Sequence, residues 1–150
     1  MSSTSTAVGL FFIRGVTSLL LVVLHGWSKL SEPERFAGFL ASRGIAPDEG
    51  PLLKLLTYAA ISAETFFPVL VLVGLYTRFA ALIVTIHMGV AIVAFHLAKN
   101  SDPVEVWEKA LLYLVVYAFI TIAGPGTLSL DAVFESGKKR RRRGRQRLLG

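Results

Sequence analysis

Apolar residues run along this chain in four long stretches, residues 8–27, 52–76, 79–98 and 104–123. Each is close to the roughly 20 residues that a helix needs to cross the hydrocarbon core of a bilayer. Between the first two lies a polar segment, residues 28–50, too long for a simple turn. Within it Ser31-Glu32-Pro33-Glu34 reads as a helix start, a capping serine with a reciprocal glutamate three residues on. Phe36, Phe39 and Leu40 then share one face at spacings of three and four, and Gly44 and Pro47 close the segment. The pattern predicts an all-α integral membrane protein, a four-transmembrane-helix bundle with a short amphipathic helix in the first outer loop. That helix either packs over the bundle mouth or moves as a lid. The membrane domain is expected over residues 1–135, and residues 136–150 are expected to form a disordered basic tail.

Composition agrees with a membrane protein: 53% of residues are hydrophobic, 17% are charged, and the mean hydropathy is +0.60. The first stretch lacks a positively charged lead-in and a small-residue cleavage site, so it is expected to remain as a span. Charge changes the picture only at the end, where Lys138, Lys139, Arg140, Arg141, Arg142, Arg143, Arg145 and Arg147 crowd together. Beside a membrane span such a run marks the cytoplasmic side and contacts anionic membrane lipids; it is not read as a nucleic-acid site. Four spans then put both termini in the cytoplasm, with Arg78 in the short inner turn. The chain has no cysteine, which excludes thiol chemistry of its own. Three histidines, His25, His87 and His96, have no metal-ligand or haem-ligand spacing, so no metal site is expected.

Polar residues inside the apolar stretches carry the chemistry. Glu64 sits near the middle of the second stretch, where a carboxylate costs about 2.5 to 3.5 kcal/mol on insertion scales and needs a partner. Pro68 follows four residues later and cannot donate to the Glu64 carbonyl, which predicts a kink and a free acceptor beside the carboxylate. Glu64 is thus the candidate proton site, and a structural ion pair is the competing reading. On the first span Arg14, Ser18, His25 and Lys29 lie within about 60° of one another at 100° per residue, forming a polar stripe. On the third span Arg78, Thr85, Gly89 and His96 align, while His87 points the other way as a hydrogen-bonded core histidine. Depth along the helices predicts a buried Arg14–Glu64 pair, with His25, Lys29, His96 and Glu108 gathered nearer the outer leaflet. Tyr113 and Tyr117 would add rings and hydroxyls between the two groups, or simply pack.

In this order the residues resemble the DoxX family of small bacterial and archaeal membrane proteins, over almost the whole chain. The likeness rests on Arg14-Gly15, the run Gly26-Trp27-Ser28-Lys29-Leu30, Glu64, and the inner turn Gly74-Leu75-Tyr76-Thr77-Arg78. His96, Glu108 before Leu111-Leu112-Tyr113, and Gly124-Pro125-Gly126 followed by Leu128-Ser129-Leu130-Asp131 complete it. Phe66, Phe67 and Pro68 stand where family members often have glycines after the glutamate, which narrows any pocket there. The resemblance implies a four-helix bundle in a bacterial or archaeal plasma membrane and an association with redox physiology, through thiosulfate:quinone oxidoreductase subunits and complexes answering oxidative stress. It gives no mechanism.

The reading that follows is an accessory membrane subunit that binds a quinone or similar lipophilic molecule and couples it to a partner oxidoreductase, without catalysing alone. Its ligand residues would be Arg14, His25, Lys29, Glu64, His96, Glu108 and Tyr113, with Pro68, Gly74 and Arg78 shaping the helices. Two alternatives remain open: a docking or assembly protein with a purely structural polar core, and a small-solute or proton-coupled transporter. A homo-oligomer fits any of the three.

Overall fold

Helices follow the apolar stretches, and the breaks between them fall where proline, glycine or a buried charge forces them. The computed structural model describes residues 4–97 and 104–138, with the backbone alone for 95–97 and 104–106. No strand occurs among the described residues. Helix α1 runs over Thr4–Ser31, widening into a π-turn at Val22–Gly26. Helix α2 is Pro33–Ser42, α3 is Pro51–Val73, α4 is Thr77–Ala94 and continues into a second π-turn at Ile92–Leu97, α5 is Val104–Ala123, and α6 covers residues 130–138. Three of these, α1, α3 and α4, are long and apolar enough to cross a membrane. The 20-residue α5 packs along α4.

One local expectation meets a correction. The predicted capping box does not form: α2 begins at Pro33 after Glu32, with no side-chain cap. Ser31 still belongs to the end of α1, and its hydroxyl donates back to the carbonyls of Trp27 at 2.9 Å and Ser28 at 3.2 Å. The kink expected from Pro68 beside Glu64 is present. Thr65 leaves helical geometry (φ −120°, ψ −69°) and divides α3 into Pro51–Glu64 and Phe66–Val73. The proline ring crowds the preceding turn and offers no N–H to the Glu64 carbonyl, so the chain opens there. Of the expected tail, residues 136–138 continue α6, and 139–150 lie outside the described residues.

The core forms where α4 meets its neighbours. Leu21 of α1, Val71 of α3, Ala80, Ala81 and Val84 of α4, and Tyr117 and Ile120 of α5 are buried together. The paired alanines let α4 approach closely, the usual device of membrane helices, which lack a hydrophobic drive to pack. Phe12, Leu19, Leu55, Ile86, Leu112 and Ile122 stand exposed on the outside. In water that surface would be a liability; against acyl chains it is the expected one.

Candidate functional site

Glu64 is 5% exposed and is met from two sides. The Lys29 ammonium lies 2.5 Å from both Oε1 and Oε2, and His87 Nε2 lies 2.9 Å from Oε1. With the carboxylate ionised, the Nε2–H tautomer of His87 donates to it, so both oxygens are satisfied by charged or polar donors as burial requires. Three helices supply the cluster: α1 brings Lys29, α3 brings Glu64 and α4 brings His87. The Lys29 ammonium also sits 4.8 Å from the centroid of the Phe36 ring on α2, a cation–π contact that ties the loop helix to the site. Phe36 in turn stacks on Phe39 at 6.3 Å.

Gly26 explains how α1 reaches this depth. A Cβ there would collide with the backbone carbonyl of Glu64 and lie 2.6 Å from Thr65 Cγ2. Only a glycine lets the opened turn of α3 press against the π-turn of α1. Beside the cluster, the ring of His25 from the same π-turn meets Tyr113 of α5 edge-on at 5.7 Å. His25 and Tyr113 both lie within electrostatic range of Glu64. Deeper still, the Tyr117 hydroxyl donates to Ser18 Oγ at 3.1 Å, closing the inward stripe of α1.

A second polar cluster lies at the opposite end. Arg14, 2% exposed, donates from Nη1 to the Pro125 carbonyl at 2.5 Å and from Nη2 to the Leu128 carbonyl at 2.7 Å. Arg78 donates from Nη1 to the carbonyls of Ile122 at 2.8 Å and Thr121 at 3.0 Å, capping the end of α5. Asp131 accepts from the Tyr76 amide, the Thr77 amide and the Thr77 hydroxyl at 2.8–2.9 Å, capping the start of α4 from a distant part of the sequence. Gly74 makes the turn at φ +76°, with no room for a Cβ beside Ser129 and the Arg14 guanidinium.

The predicted Arg14–Glu64 pair is therefore not formed. Arg14 stands beside Gly74 and Glu64 beside Gly26, so the two charges occupy opposite ends of the antiparallel α1–α3 contact. Lys29, fifteen residues beyond Arg14, is some 22 Å further along the helix at 1.5 Å per residue and is the cation within reach. His87 is a hydrogen-bonded core histidine, as its place on the helix predicts, and its partner is Glu64. The Arg78–Thr85–Gly89 stripe does face a neighbour, since Arg78 reaches α5 and Gly89 lies against Leu114. His87, on the other side, faces α3 because α4 sits between two partners and has two interior faces. The His96 side chain lies outside the described residues; its backbone is in the second π-turn. Glu108 is on an exposed face of α5 and is not brought to Glu64. Among the described residues no cluster of histidines and acids could hold a metal ion.

The DoxX family model matches residues 9–97, which takes in both Arg14 and the whole Lys29–Glu64–His87 cluster. The chain belongs to the DoxX family. Two uncharacterized proteins of Haemophilus influenzae are similar to it. One is 31% identical over 130 residues, 83% of this chain and 90% of that protein. The other is 33% identical over 79 residues, and the chain spans about half its length, 52% of each. No solved structure matches. As a DoxX protein with three apolar spanning helices, the chain is a membrane protein.

Proposed function

We propose that this DoxX protein binds the polar head of a quinone or similar lipophilic molecule beside Lys29, Glu64 and His87, as the accessory membrane subunit of a redox system. One observation carries the reading: a buried carboxylate shared by a lysine and a histidine, with His25 and Tyr113 alongside, inside helices whose outer faces are apolar. Carbonyl oxygens of a lipophilic ring accept hydrogen bonds from Lys29 or the Tyr113 hydroxyl, and Glu64 with His87 can hold or pass the proton that reduction requires. Electrons come from a partner oxidoreductase, since the residues offer no carrier of their own. In this reading α5 is the fourth span, and both termini lie on the cytoplasmic side of the plasma membrane.

A second reading has its own support. Arg14, Arg78 and Asp131 are spent on backbone groups, so one of the two polar clusters already acts as glue, and Lys29 with Glu64 would do the same in a docking protein. Titrating the detergent-purified chain with a short-chain quinone analogue separates the two. Saturable binding, weakened tenfold or more by Lys29→Met and several-fold by the gentler Tyr113→Phe in well-folded protein, supports the ligand site. Absent binding, or binding indifferent to both changes, overturns it.

A further inference from the structure

The end of the molecule opposite Glu64 carries an open groove that the redox reading does not use. Tyr76 and the first turn of α4, with Arg78 and Phe79, line one wall, and α6 lines the other with Val133, Phe134 and Lys138. Its apolar members are not core residues: Tyr76 is 70% exposed and Val133 63%. Leu130, Val133 and Phe134 follow spacings of three and four, so α6 turns one apolar face outward, while Lys138 begins the run of eight cations that ends at Arg147. The acids in the lining do not cancel this charge. Asp131 is occupied in capping α4, which leaves Glu135 against Lys138 and the Arg78 guanidinium, whose Nη1 alone is engaged by the α5 carbonyls.

Position selects the occupant. The groove lies where α4 starts and α5 ends, so in a bilayer it is at headgroup depth, with a tyrosine at its mouth as interfacial sites have. We propose that this groove binds an anionic phospholipid, its phosphate between Arg78 and Lys138 and an acyl chain along Phe79, Val133 and Phe134, with α6 lying in the interface as its anchor. The cationic run adds attraction to the same leaflet, and the groove supplies what a charged tail lacks, an apolar slot beside the phosphate site. This is independent of any ligand at Glu64.

The absence of cysteine makes the test clean. Val133→Cys places a bimane label on an exposed position of α6 in the full chain, in detergent, to be titrated with acyl-brominated phosphatidylglycerol or acyl-brominated phosphatidylcholine. The proposal expects quenching by the anionic lipid at several-fold lower mole fraction, a preference at least halved by Lys138→Gln. Equal quenching by both lipids, or a label that stays in water with either, overturns it. Inorganic phosphate should displace the lipid no better than potassium chloride of equal ionic strength; strong displacement by phosphate would instead assign the groove to a free phosphate.

Discussion

Asp131 holds three donors of the α4 start although 54 residues separate it from Thr77. Burial pushes its carboxyl up, but the Thr77 and Tyr76 hydrogen bonds and the Arg14 charge outweigh that and hold it below the usual aspartate range. A carboxyl depressed in the folded state contributes stability that is present above the ordinary aspartate pKa and is lost as pH falls through the folded value. Thermal melts in detergent should therefore lose stability as pH drops below about 4, and Asp131→Ala should remove that dependence and about 1 kcal/mol at neutral pH, as for a lost helix cap. An unchanged acid profile in the variant would contradict this role. At this scale the sequence was informative about which residues matter and less so about their partners. Glu64 was legible because an acid in an apolar run is costly. Its partners were not, because they depend on the offset between α1 and α3, which Gly26 sets by admitting a carbonyl.

At the scale of elements, α1 and α3 share core packing, a glycine contact and an ion pair that is nearly buried: the Glu64 side chain is 6% exposed and that of Lys29 26%. Removing one member of such a pair strands the other charge, at about 3 kcal/mol or more, whereas replacing both with apolar residues is far milder. A double-mutant cycle should show Lys29→Met strongly destabilised and Lys29→Met with Glu64→Leu recovering at least half of the loss; additive effects would mean that the pair does not link the helices. The three spanning helices α1, α3 and α4 and the loop helix α2 were readable from hydrophobic period alone. The π-turns were not, because each depends on a neighbour packed against it. Pro68 announced the break beside Glu64, and the carbonyl freed there lies against Gly26 of α1.

For the whole molecule, the two polar clusters divide the labour. The arginine and aspartate cluster ties α1, α4, α5 and α6 together through backbone groups, and the lysine, glutamate and histidine cluster brings side-chain chemistry to the other end. The proposed sidedness rests on the basic run and can be checked directly, since any introduced cysteine is unique. An impermeant maleimide on intact cells should label Asp48→Cys and spare Ser136→Cys until the membrane is opened; the reverse pattern would invert the topology. The central claim is that a lipophilic ligand sits beside Glu64, and mass spectrometry of the organic extract from protein purified in mild detergent tests it most directly. A ligand at this site means a near-stoichiometric quinone-like molecule in the native protein, lost from Glu64→Gln and retained in Lys138→Gln. A well-folded native protein that carries no enriched small molecule would contradict it and leave the Lys29–Glu64–His87 cluster as structural glue.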